Sequence, residues 1–259
     1  MIPLFFLLGF KTMEEFMVSV GLTQNTALQP MRYSDYKITP TLLQVIGATE
    51  GISNKAYKLS GETRYTIGFG STYLYTKTGQ NFRGTASVLA SDTLSTLKVQ
   101  MGYSNLSDID FAYQLKINHI LFDYSMKKYK ALFSDLDKYK VPYNESIAIS
   151  LIDFNYNSGS GLQGVYYVQI LNGLIQAKGD LRKIASIIAQ VRYTYLKSLN
   201  AFAINSHGWL KRVYYACYRI FDNSLTYKTV DNSFGGKNND NKLRLIKAFR
   251  DNLGVIITY

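Results

Sequence analysis

Only one cysteine, Cys217, and two histidines, His119 and His207, occur in the 259 residues. A single thiol excludes an intramolecular disulfide and a cysteine-rich zinc site, and two imidazoles are too few for a histidine metal cage. No metal or other cofactor is therefore expected. Cys217 lies in an apolar helical stretch, which points to a buried, inert thiol. Long apolar runs are also lacking. Met1–Phe10 is apolar but too short to span a bilayer, and it has neither a basic leader region nor a small-residue cleavage site. It reads as a packing arm or an interaction segment, not as a signal or a membrane anchor. Acidic side chains are scarce: 18 Asp and Glu stand against 29 Lys and Arg, for a net charge of +11 and a pI near 9.5.

Such a surplus attracts polyanions, whether nucleic acid, anionic lipid or an acidic bacterial envelope. The cations are scattered, and the longest basic runs are pairs such as Lys127-Lys128, so the charge reads as a broad field. No helix with clustered basic residues offers itself for base recognition, and neither nucleic acid nor a membrane is expected as a partner. What the chain does have is 47% hydrophobic residues, 22 tyrosines and 14 phenylalanines. That is enough to bury a core in one large domain, or in one medium domain with appendages.

The pattern along the chain sets the organisation. Residues 1–35 read as an N-terminal extension with a short helix near Lys11–Val20. Thr39-Pro40 marks a helix start, with Thr39 as cap and Pro40 at the first turn. Leu42, Leu43, Ile46 and Glu50 follow at helical spacings, which puts Glu50 on the core-facing side at the end of that helix, before the stop at Gly51. Tyr57 to Tyr75, rich in Tyr, Thr, Ile, Phe and Gly, reads as a β-hairpin or small meander. Helical periods then recur over 85–101, 107–118, 119–137, 144–157, 164–173, 180–200 and 207–222. Residues 228–241 read as a polar linker before a last amphipathic helix near 241–253. The order predicts an α+β architecture, mostly helical, in which a small β-hairpin lobe faces a larger helical lobe across a cleft.

A lone acid at a helix end, followed by a glycine-rich strand, suits one chemistry in particular. A carboxyl against a partly apolar wall can keep its proton and deliver it to a leaving oxygen. Cleavage of a glycosidic bond needs such an acid, and a second carboxylate or an activated water on the other side. In this reading Glu50 is the acid, and Tyr65-Thr66-Ile67-Gly68-Phe69-Gly70 is the facing wall. Its glycines admit a sugar chain close to the backbone, and Thr66 positions a water. Glu62, in the intervening turn beside Arg64, is the nearest second carboxylate, or else a solvated hairpin-tip charge.

Glu50-Gly51, Ala56-Tyr57-Lys58 and Tyr65-Thr66-Ile67-Gly68-Phe69-Gly70-Ser71-Thr72 together resemble the active-site segment of phage-type lysozymes, the muramidases of glycoside hydrolase family 24. Three later stretches add to the resemblance. Asn144 to Gly161 is similar to the family's helix ending in Phe-x-x-Asn-x-Gly. Leu171-Asn172-Gly173 is similar to its Leu-Asn-x-Gly, and Gly208-Trp209-Leu210-Lys211-Arg212 to its late Gly-Leu-x-x-Arg segment. The likeness spans residues 38–222. Two departures stand out. Fifteen residues separate Glu50 from Thr66, one more than the family pattern gives, so the family's second acid position falls on Leu59 or Ser60. Ser71 stands where many members carry His.

The resemblance implies a lysozyme-like domain over 36–225, flanked by the extension 1–35 and a linker with C-terminal helix over 226–259. It implies a peptidoglycan glycan-strand hydrolase with Glu50, Thr66 and Glu62 as catalytic residues. Tyr65, Phe69, Ser71, Tyr156, Asn157 and Arg192 are the expected substrate contacts. Arg192 is open to a second reading, a structural bridge to a carboxylate, and Trp209 reads as a core anchor. Three arrangements stay open: Glu62 supplies the second carboxylate, or Glu50 works alone as in lytic transglycosylases, or catalysis is lost and a phage structural or binding module remains. An enzyme of this kind acts on the bacterial wall from a phage virion or from the host cytoplasm. Residues 1–35 or 228–259 are the segments expected to meet other virion proteins.

Overall fold

A computed structural model describes residues 31–58, 62–84, 87–122, 126–158, 161–199, 207–236 and 239–257. The expected helix near Lys11–Val20 and the apolar run Met1–Phe10 lie outside them. Among the described residues the chain is mostly helical, with ten α-helices and one two-stranded antiparallel sheet, an α+β composition. These residues form two compact units: one from residues 37–126, the other from 31–36 and 127–257.

In the first unit, α1 (Pro40–Thr49) starts as the sequence indicates: Thr39 Oγ1 accepts from the Leu42 N–H and Pro40 occupies the first turn. It buries Leu42, Leu43, Val45 and Ile46, and Glu50 is its C-cap. Strands β1 (Ser53–Tyr57) and β2 (Thr66–Gly68) follow. They pair with Ser53 opposite Gly68 and Tyr57 opposite Thr66, with a bulge between these positions. Directly after β2 the chain reverses: Ile67 and Ser71 exchange both backbone hydrogen bonds, at 3.0 and 2.9 Å. Gly68 and Gly70 hold φ of +61° and +79° in this reversal, values that β-carbon-bearing residues rarely adopt.

The helix expected over 85–101 is shorter. Only α2 (Leu94–Gln100) is helical, because Thr93 and Thr96 form a capping box that fixes its start. Just upstream, Asp92 is clamped by Arg83 through two hydrogen bonds of 2.7 and 2.8 Å and accepts the Leu89 N–H. Helix α3 (Asp108–Phe122) runs through the boundary read between residues 118 and 119. Asn118 is tied inside it, accepting from Gln114 Nε2 and donating to Tyr75 O and Tyr103 Oη. Nearly every residue from Asp110 to Ile120 is buried, so α3 is the axis of this unit.

The second unit is all helical: α4 (Met126–Lys138, from Lys127 onward), α5 (Glu145–Ser158), α6 (Gly164–Gln176), α7 (Leu181–Leu199), α8 (His207–Tyr218), α9 (Tyr227–Phe234) and α10 (Asn239–Leu253). Helix α8 touches α5, α7, α9 and α10, so it is the hub. Two boundaries differ from the sequence reading. Tyr33 is no part of an extension: it is buried, and its hydroxyl donates to Pro142 O at 2.7 Å while Asp137 accepts the Tyr33 and Ser34 N–H groups. Residues 228–241 are not simply a linker, because α9 is helical, capped by Thr226 and anchored by buried Val230. Phe249, Leu253 and Val255 are likewise core residues of this unit.

Candidate active site

The first unit holds Glu50, Glu62, Tyr65, Thr66, Phe69 and Ser71; the second holds Tyr156, Asn157 and Arg192. Glu50 is half-buried where α1 ends, its N–H bonded to Ile46 O. Its carboxylate reaches the glycine reversal: a methyl group on Gly70 would lie 3.1 Å from Glu50 Oε2. The same methyl would lie 3.8 Å from Lys116 Nζ, so an acid and a base border one glycine. Lys116 stands on α3 and is 0% exposed. One helical turn earlier on the same face, Ala112 meets Gly68, where an added methyl would come within 3.2 Å of the Ala112 Cβ. The reversal is thus seated on α3 through two glycines, one above Ala112 and one beside Lys116.

Tyr57, opposite Thr66 in the sheet, registers the charges nearby. Burial raises its phenol pKa, and the carboxylates of Glu50 and Glu62 add to the rise. Both acids therefore act on one side chain. Glu62 itself is exposed, and Arg64 beside it is turned to Tyr73, with its guanidinium donating to the Tyr73 hydroxyl and lying 4.7 Å from the ring centroid. Leu59 and Ser60, the positions aligned with the family's second acid, lie outside the described residues.

Several expected contacts are core residues instead. Phe69 is 3% exposed and stacks on Tyr113 with centroids 4.6 Å apart, and burial pushes the Tyr113 phenol up to about 12. Ser71 is fully buried, held there by the backbone pairing with Ile67. Thr66 is 7% exposed, so its hydroxyl faces little solvent in which to hold a water. Tyr65 is half-buried with Lys58 Nζ 5.3 Å from its ring centroid, and it remains able to touch a ligand.

In the second unit Arg192 fulfils the structural reading, not substrate contact. It is 0% exposed, and its Nη2 donates to Asp153 Oδ2 at 2.9 Å. Arg212 Nη2 donates to the other oxygen at 2.6 Å. Burial alone would push the Asp153 carboxyl up, but the two guanidiniums outweigh it and hold it below the ordinary range. Trp209 is half-buried, with the Arg192 guanidinium 5.8 Å from its ring centroid, consistent with an anchor. Tyr156 and Asn157 are half-buried at the end of α5.

The residue that sequence reasoning missed is Lys116. Its signal was present: a single lysine between Leu115 and Ile117, one turn beyond Ala112, in a helix whose other middle positions carry no charge. Among the described residues no cluster of three His, Cys, Asp or Glu side chains could hold a metal, and no helix is long and apolar enough to cross a membrane. Against models of known families, curated proteins and solved structures, the chain finds no match.

Proposed function

We propose that the chain has a lysozyme-like fold and cleaves the glycan strand of peptidoglycan, with Glu50 as the proton donor. The observation that carries this reading is the approach of Glu50 Oε2, at the end of α1, to Gly70 in the reversal after β2. Glu50 protonates the glycosidic oxygen as the C1–O bond breaks. Lys116, bordering the same glycine, supplies positive charge next to the carboxylate that remains. In hydrolysis, water then adds its hydroxyl to C1 and returns its proton to Glu50.

Lytic transglycosylation is the second reading, favoured by the burial of Thr66 and the exposure of Glu62. Here the sugar's own 6-hydroxyl oxygen bonds to C1 and its proton returns to Glu50, so neither a second carboxylate nor a held water is needed. Mass spectrometry of digested sacculi separates the cases. Reducing ends indicate hydrolysis, anhydro ends indicate transglycosylation, and both vanish with Glu50→Gln. Intact strands with the wild-type chain overturn the proposal and leave a wall-binding or virion structural role, the case in which segments 1–35 or 228–259 would matter most. Action from a virion or from the host cytoplasm belongs to the same proposal.

A further inference from the structure

The positive charge is divided unevenly between the two units. Among the described residues the second unit holds 19 Lys and Arg and 10 Asp and Glu, whereas the first holds 8 and 5. The helical unit therefore carries a surplus of +9 and the hairpin unit +3 over these residues. Several acids of the helical unit are also held in internal hydrogen bonds. Asp153 is buried between two guanidiniums, Asp135 accepts the Tyr167 hydroxyl at 2.5 Å, and Asp137 accepts two backbone N–H groups.

The clearest case is α4. One side buries Tyr129, Leu132, Phe133 and Leu136, and its two acids are occupied as described. The solvent side presents Lys127, Lys130 and Lys138, with the small, exposed Ala131 and Ser134 between them and exposed Lys140 just beyond the end. Spacings of three and eight residues keep these lysines on one line, roughly 16 Å long at the helical rise.

We infer that this lysine row is a docking surface for a single-stranded anionic wall polymer, a phosphodiester-linked glycopolymer attached to peptidoglycan. Naming a wall polymer rests on the glycan-cleavage reading; the row itself does not. A row one side chain wide on a convex helix matches a flexible chain with one charge per repeat. Duplex nucleic acid rewards a surface that enters a groove, and single-stranded nucleic acid rewards successive aromatic faces. This row has only Tyr139, near its end.

The test compares two matched charge reversals in a Glu50→Gln chain, so that strand cleavage does not enter. One is Lys127→Glu/Lys130→Glu/Lys138→Glu; the other, on exposed positions of the first unit, is Lys37→Glu/Lys55→Glu/Lys77→Glu. Binding is measured by co-sedimentation with sacculi that carry the phosphodiester polymer and with the same sacculi after its chemical removal. Circular dichroism melts check that both variants remain folded. The α4 reversal is expected to weaken binding roughly tenfold or more at 50 mM salt and to flatten its salt dependence. The first-unit reversal should change it less than about twofold, and polymer removal should abolish the difference. Equal losses in the two variants, unchanged binding in the α4 variant, or tighter binding to DNA than to the polymer-bearing wall overturns the inference. Polymer binding with no wall cleavage by the wild-type chain would sink the enzymatic reading and leave this one standing.

Discussion

Gly70 leaves room for Glu50: the glycine sits at φ +79°, and a methyl group there would lie 3.1 Å from the Glu50 carboxylate. Gly70→Ala is therefore expected to act twice. The left-handed conformation costs about 1–2 kcal/mol of stability. The methyl also displaces Glu50 by a few tenths of an ångström, so wall-cleaving activity should fall measurably beyond what the stability loss explains. Gly84→Ala separates the two, because Gly84 has φ +74° but nothing within 4 Å of an added methyl. It should lose similar stability and keep its activity. Equal activity losses would show that strain alone is responsible.

Lys116 is fully buried beside the glycine that Glu50 reaches, so the two side chains should be energetically coupled. In a cycle of Glu50→Gln, Lys116→Met and the double variant, the double variant should be more stable than the sum of the single losses predicts. A coupling of about 0.5–3 kcal/mol is expected for side chains that share one network. Urea unfolding monitored by far-ultraviolet dichroism measures it. Additivity within about 0.3 kcal/mol would mean that Lys116 does not support Glu50.

Local signals made much of this legible in the sequence. The cap Thr39-Pro40, the apolar spacing 42, 43, 46 and the stop at Gly51 placed Glu50 at a helix end, where it is. The strong periods of 144–157 and 180–200 coincide with α5 and α7 to within a residue or two. The losses came where long-range packing overrides local pattern. Aromatic Phe69 and hydroxyl-bearing Thr66 read as groove wall because a strand at a lobe's surface can leave one face open, whereas Thr66, Ile67, Gly68 and Phe69 are all buried here. Residues 228–234 read as linker because Asp, Asn and Ser are poor helix formers, yet buried Val230 and the Thr226 cap suffice to hold α9. Lys116 was hidden by the habit of treating a lysine as solvated.

The C-terminal helices provide a sharp test of that correction. Leu245, Phe249, Leu253, Val255 and Ile257 are buried in the second unit, and Asn252 donates to the Tyr214 hydroxyl at 2.8 Å. Burying one such side chain is worth about 1.5–3 kcal/mol, so five of them rival the whole stability of a typical domain, about 5–15 kcal/mol. A chain ending at Thr226 should therefore lose the cooperative melting of the helical unit. If it melts cooperatively within a few degrees of the full chain, residues 227–257 are an appendage after all.

Asp153 should dominate the acid sensitivity of the same unit. Its pKa in the folded chain is depressed, because the attraction of Arg212 and Arg192 and their hydrogen bonds outweigh the desolvation that would raise it. A depressed carboxyl binds its proton more readily in the unfolded chain. The stability it contributes is thus complete above its ordinary value, about pH 4, and is lost as pH falls through the lower folded-state value. Asp153→Asn removes that contribution and leaves two guanidiniums facing each other in a dry core, at a cost of about 3–5 kcal/mol at pH 7. Asp92 is depressed in the same direction by Arg83, so acid unfolding of the wild-type chain alone does not isolate Asp153. The difference between wild-type and Asp153→Asn stability, followed by urea unfolding from pH 7 to pH 2, does. It should stay constant down to about pH 4 and shrink below that. A difference that is flat across the whole range, or that grows in acid, would mean the carboxylate is not held ionised by its two arginines.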